Sequence, residues 1–179
     1  MGIFRELRAA GAALWPRVRA ARPRVAVAVQ VGGDGLALVR FEAEPRGGDP
    51  VPPAGVAVEL RAREFEDLTA ILHGEVRASG LTGTRARLVL SPDDYAVLQV
   101  PRLDVPEAAL AETLRWSLGD QLPVPPADAI VQPLPMPDAY RDRNLVHLVV
   151  ARRQRLEALV GMLREAQLEP AAIGISELA

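Results

Sequence analysis

The sequence predicts a mixed α/β fold, and three observations lead there. Short apolar, β-branched runs bounded by glycine and proline recur along the chain. Longer stretches between them carry apolar residues at helical spacing. The two kinds follow one another as β-β-β-α-β, then β-α-β-β, then α-β, which reads as one larger mixed domain holding a small inserted unit.

Taken in order, residues 25–31 and 35–43 are two strands around Gly32-Gly33-Asp34, a hairpin signal. Residues 45–55, "PRGGDPVPPAG", are a loop by composition. Residues 56–62, "VAVELRA", form a third strand and close an antiparallel meander. Residues 64–79 suit a helix with Phe65, Leu68, Leu72 and Val76 on one face, weakened at Gly74 and stopped at Gly80. Residues 85–91 and 95–101 are strands around Pro92-Asp93-Asp94. Asp104-Val-Pro-Glu107 resembles a capping box with Pro106 in the first turn, opening a helix that runs to about Leu122 and stops at Pro123. Residues 128–136 and 144–152 are a further strand pair. A last helix spans 153–167, with Leu156, Leu159, Val160 and Leu163 inward, and residues 169–176 supply a final strand.

Composition removes several kinds of chemistry. There is no cysteine, so disulfides and thiolate metal sites are excluded. The two histidines, His73 and His147, stand far apart in sequence, which disfavours a histidine metal centre or a serine–histidine triad; no metal site is expected. All 21 basic residues are arginine, so neither a P-loop lysine nor a Schiff-base lysine is present. Charge is uneven. Residues 1–24 carry six arginines against one glutamate, while the remainder is net acidic, an arrangement that argues against nucleic-acid binding by the body. No run of 18 apolar residues exists, and the N-terminus lacks the pattern of a secretory signal, so a cytoplasmic body is expected.

The basic arm, residues 1–23, has two readings. On a helical wheel Ile3, Phe4, Leu7, Leu14 and Trp15 fall on one side, with Arg5 opposite and Arg8 on the flank; Pro16 ends the helix. One reading is an interfacial helix on an anionic membrane surface, carried by Phe4, Arg5, Leu7, Arg8 and Trp15. The other is a tail, or a helix docked on its own domain or on a neighbour.

On the helix over 105–121, Leu110, Leu114 and Leu118 form one stripe. Trp116 projects roughly 160° from its middle at 100° per residue. It therefore packs on a partner, with Arg115 beside it, or fills a gap under the proline segment at 122–127. Pro123, Pro125 and Pro126 either make a short polyproline segment or, the favoured reading, enforce the exit from that helix into the next strand. His147 reads as a hydrogen-bonded strand histidine. Asp93-Asp94 and Glu64/Glu66/Asp67 suit turn and helix-dipole chemistry rather than a catalytic dyad.

Three features together carry a family resemblance. They are the Leu114-Arg-Trp116 helix ending in "QLPVPPADAIV", the "LVVARR" strand-to-helix step, and the closing pattern from Ala166-Gln-Leu-Glu-Pro170 to Glu177-Leu-Ala179. Over residues 24–179 the chain resembles the actin-like assembly proteins of bacterial type IV pilus and type II secretion machines. It is most similar to the MshI proteins of the mannose-sensitive haemagglutinin (MSHA) pilus, and more distantly to PilM and GspL. The resemblance implies an actin/Hsp70-like (ribonuclease H-like) first lobe at 24–96 and 151–179, with an inserted β-α-β-β subdomain at 97–150. It implies a cytoplasmic protein at an inner-membrane assembly platform, docking an inner-membrane partner's tail or an assembly ATPase. Self-association stays open. Relatives usually continue into a second lobe, and this chain stops at Ala179, about where that lobe would begin.

The same resemblance frames the glycine turn. In ATP-binding actin-like proteins the first hairpin carries an acidic residue two positions before a glycine, and the turn amides face the phosphates. Aligned on Gly32, that position holds Gln30, which lacks the charge to organise Mg²⁺. Asp34 sits at the tip, where aspartate is ordinary turn chemistry. Gln30, Gly32, Gly33 and Asp34 thus read as a degenerate nucleotide hairpin, with no ATP or Mg²⁺ expected and no catalytic residue. The expectation is a non-catalytic scaffold; the alternatives are an ATPase of the same fold completed by a second lobe, and a peripheral membrane-binding module.

Overall fold

The computed structural model describes residues 27–32, 35–41, 55–61, 65–134 and 144–176. The described residues divide into two compact units, one drawn from Met1–Ser91 and Leu159–Ala179, the other Pro92–Ala158.

The first unit is built on a five-stranded sheet. Its strands are β1 (Val27–Val31), β2 (Gly35–Phe41), β3 (Gly55–Arg61), β4 (Arg85–Leu90) and β8 (Glu169–Ile175), in the order β3-β2-β1-β4-β8. The first three form the expected meander, with Val31 opposite Leu36 and Gly35 opposite Arg61. β4 then runs parallel to β1, and β8 parallel to β4. Period-two alternation sorts the side chains. Val27, Val29 and Val31 are buried, as are their cross-strand neighbours Leu36, Leu38, Ala86, Leu88 and Leu90. The opposite face carries Ala28, Gln30, Ala37 and, on β8, Ala172 and Gly174, together with Val39 and the buried Val89.

Helix α1 (Phe65–Ala78) contributes Leu68, Leu72 and Val76 to the buried interior, at the expected spacing, while Phe65 is half-buried. It ends as the sequence indicates. Gly80 adopts φ 65°, its N–H donates to Arg77 O at 3.2 Å, and Leu81 N–H donates to Val76 O at 2.8 Å. That is a Schellman closure, with buried Leu81 and Val76 as its apolar pair. The C-terminal part of α3 (Arg153–Glu165) supplies Leu159, Val160, Met162 and Leu163, all buried. Its end repeats the Schellman geometry without glycine. Gln167 takes φ 63°, donating to Arg164 O at 2.9 Å, while Leu168 donates to Leu163 O at 2.9 Å.

The second unit is a three-stranded antiparallel sheet in the order β5-β7-β6, covered on one face by a helix. The strands are β5 (Tyr95–Pro101), β6 (Ala129–Pro133) and β7 (Leu145–Arg152), and the helix is α2 (Glu107–Leu118). Leu110, Leu114 and Leu118 of α2 join Val100, Ala129, Val131, Val146, Leu148 and Val150 in one apolar cluster. Each fully buried leucine there contributes about 1.5–3 kcal/mol. Leu122 and Val124 extend the cluster past the helix. Pro125 and Pro126 belong to the turn that follows, where Asp128 N–H donates to Pro125 O at 2.8 Å.

Two expectations about α2 need correction. It does not begin with an Asp104 capping box. Pro106 occupies the cap position without a side-chain cap, and Glu107 pairs with Arg102 instead. A residue before proline is pushed out of helical geometry, so Val105 cannot open the helix. Nor does the helix reach Leu122. Gly119 takes φ 48° and ends it at Leu118, leaving a 3₁₀ turn over Gly119–Gln121. His147 pairs with Gln99, and its carbonyl accepts from Leu134 N–H at 2.7 Å; its bond is therefore a backbone one. Asp94 also exceeds a turn role. Its side chain is 9% exposed and accepts from Arg155 Nε at 2.8 Å, fixing the first turn of α3 to the Pro92–Asp94 3₁₀ turn. Among the described residues, no helix is long and apolar enough to cross a membrane.

Candidate functional site

The β1–β2 hairpin and the outer face of α2 hold the described residues singled out by sequence. Gly33, Asp34 and the arm residues Phe4, Arg5, Leu7, Arg8 and Trp15 lie outside the described residues.

At the hairpin, β1 places Gln30 half-buried between Ala37 of β2 and Val89 of β4, on the sheet face opposite Val29 and Val31. A shallow, open depression of about 270 Å³ lies beside it, lined by Gln30, Gly32, Gly35, Ala37, Glu59 and Arg61. Its two charged side chains oppose one another: Arg61 Nη2 is 4.0 Å from a Glu59 carboxylate oxygen, both largely exposed. The Gly32 N–H donates to Gly35 O at 2.8 Å, so this amide closes the turn rather than facing outward. Gly35 is set by a close approach: a Cβ there would stand 2.5 Å from Leu60 O. Gly32 has no such constraint, since a Cβ would meet only Gly35 O at 3.8 Å. The sequence did not distinguish these two glycines; the pairing of β2 with β3 does.

On α2 the geometry is that of a fixed surface aromatic. Trp116 is 56% exposed, so it does not fill a gap under the proline segment. Its Nε1–H donates to Glu112 Oε1 at 2.9 Å. The Arg115 guanidinium lies 5.0 Å from the ring centroid, within cation–π range, and also donates to Glu112 Oε1. Arg115 Nε is buried without a hydrogen-bond partner. One carboxylate thus orients both Trp116 and Arg115. Glu112 was not singled out from sequence, although its position four residues before Trp116 is the signal that finds it. The structure brings Arg115 and Trp116 together on this unit, and Gln30 with Gly32 on the other. Among the described residues, no three His, Asp or Glu side chains gather as a metal site.

No protein-family model matches the chain, and no curated protein sequence is significantly similar to it. Solved structures do match. One is the cytoplasmic domain of EpsL, an inner membrane component of the type II secretion system of Vibrio cholerae. It has a TM-score of 0.62 at 14% identity, over 83% of this chain and 56% of that one. Another is a PilM–PilN type IV pilus biogenesis complex, with a TM-score of 0.60 at 21% identity, over 87% of this chain and 48% of that one. The chain therefore spans about half the length of these structures. At such identities the likeness shows the fold, which is the mixed α/β, actin-like lobe expected from sequence.

Proposed function

We propose that this chain acts as a non-catalytic scaffold in a type IV pilus or type II secretion assembly platform, at the cytoplasmic face of the inner membrane. The observation that carries the proposal is the shared fold with EpsL and PilM over more than four-fifths of the chain. The sequence motifs at Leu114–Trp116 and Glu177–Ala179 favour an MSHA-type pilus within that range. A scaffold functions through surfaces, and the oriented Trp116–Arg115–Glu112 group is a surface of the right kind. Tryptophan and arginine are the commonest interface anchors, and an anchor already fixed in place loses little entropy on binding. The hairpin supports the same reading. Gln30 has no charge to organise a metal, and the Gly32 amide is committed within its own turn.

The test is co-purification. The tagged chain, cross-linked in its native host, is expected to bring down inner-membrane pilus or secretion components, and Trp116→Ala to reduce their recovery severalfold. Because Trp116 is exposed, the variant keeps its circular dichroism. Recovery of none of these components would contradict the platform role. Micromolar Mg²⁺–ATP binding by calorimetry, abolished by Gly32→Val, would establish the nucleotide-dependent alternative instead.

A further inference from the structure

The sheet of the first unit has an open edge at β3, which stands at the end of the strand order and pairs with β2 alone among the described residues. The register shows which of its backbone groups are left over. A Cβ on Gly35 would stand 2.5 Å from Leu60 O, so the Leu60 carbonyl is turned towards β2. Backbone groups alternate in direction along an antiparallel strand. Those of Val58 therefore face β2 as well, while those of Ala57, Glu59 and Arg61 point away from it, along the open edge. The hairpin agrees, because Gly35 O accepts from Gly32 N–H on the β1 side and leaves Leu36 and Leu38 to bond Leu60 and Val58. Native edges are commonly blunted by proline or a bulge. The strand "GVAVELR" has no proline, and its register with β2 is unbroken. Its two charges are of opposite sign: Glu59 and Arg61 stand two residues apart on one face of the strand, both largely exposed.

Opposite charges two residues apart are complementary to themselves about a two-fold axis. When β3 pairs antiparallel with a second copy of itself around Leu60, Glu59 of each copy stands opposite Arg61 of the other. Both of these pairs fall at hydrogen-bonded positions, because the backbone groups of both residues point outward. Other registers lose the match. Centred on Glu59, two glutamates oppose one another; centred on Val58, Glu59 meets Ala57 and Arg61 meets Gly55. We propose that the open edge of β3 is a self-association site, where two copies of this chain join their five-stranded sheets antiparallel across a two-fold axis at Leu60. One strand buries less than the roughly 1,200–2,000 Å² of a stable complex, so the dimer is transient and forms at high local concentration. Its charge pairs are exposed and are weakened by salt. The site is independent of Trp116, which lies in the other unit.

The experiment exploits the self-complementarity. Sedimentation equilibrium of the complete chain is followed over a concentration series reaching the millimolar range, for the wild type, Glu59→Arg, Arg61→Glu and an equal mixture of the two variants. Both side chains are largely exposed, so circular dichroism is expected to show all chains folded. The wild-type mass is expected to rise from that of one chain towards that of two. Each variant alone is expected to stay monomeric, since like charges then face one another across the axis. The mixture is expected to dimerise again, because a chain with two arginines meets a chain with two glutamates. A second measurement fixes the register. The chain has no cysteine, so Leu60→Cys can form a disulfide only with another copy, and Val58→Cys serves as the control that the register keeps apart. Oxidation is expected to give severalfold more covalent dimer from Leu60→Cys. A wild type that is monomeric throughout would overturn the proposal. So would variants that dimerise alone, a mixture that does not, or equal cross-linking at the two positions.

Discussion

Replacing Gly35 and Gly32 separately by alanine separates a structural turn from a ligand-binding one. At Gly35 an added Cβ would lie 2.5 Å from Leu60 O, a backbone atom held by the β2–β3 ladder, so the strands must part or slide. Forcing extra volume into a packed site costs about 1–3 kcal/mol. At Gly32 the nearest atom would be 3.8 Å away, an ordinary contact, and the φ there is not positive. Gly→Ala at such a site changes stability by about 0.4–1 kcal/mol in the favourable direction, through the unfolded chain. For a protein of this size 1 kcal/mol moves the midpoint about 2–4 °C, so Gly35→Ala is expected to melt roughly 2–12 °C lower. Gly32→Ala should melt at the wild-type temperature or slightly above. Thermal and urea unfolding followed by circular dichroism give both numbers. Equal losses, or a larger loss at Gly32, would refute the assignment of Gly35 as the glycine that the fold requires.

Further consequences concern the helices and their ties. Gly74→Ala is expected to stabilise by about 0.5–1 kcal/mol in urea unfolding, because the added Cβ meets nothing within 4 Å on α1. Gln167→Gly should stabilise by about 0.5–1 kcal/mol, relieving the left-handed backbone at φ 63° that ends α3, less the entropy glycine adds to the unfolded chain. Asp94→Asn is expected to cost about 1.5–3 kcal/mol, towards the lower end because Arg155 is 32% exposed, and a double-mutant cycle with Arg155→Gln should show the two changes to be non-additive.

Period-two alternation in "VAVAVQV" and helical spacing of Leu68, Leu72 and Val76 are local signals, and both elements stand where those signals put them. Gly80 was legible as a helix stop for the same reason, since a single residue's backbone freedom decides it. The misplaced ends of α2 have local causes too: the pre-proline restraint at Val105 outweighs the Asp104 cap, and Gly119 acts before Pro123 can. What stayed hidden is non-local. Asp94 and Arg155 are 61 residues apart, and nothing in either neighbourhood announces the pair. The constraint on Gly35 comes from Leu60 on another strand. Within the candidate site, Trp116 and Arg115 were visible as an unusual pair on the outer face of a helix. Glu112, which orients both, reads in isolation as one more surface carboxylate.

The scaffold account is tested most directly by complementation in the native host. A strain lacking the gene is supplied with the wild-type chain, with Trp116→Ala, or with Gln30→Ala, and assembled pilus or secreted substrate is measured at matched protein levels. The account predicts that Gln30→Ala restores assembly as the wild type does, while Trp116→Ala fails despite folding. Assembly that survives Trp116→Ala and is lost with Gln30→Ala would contradict it.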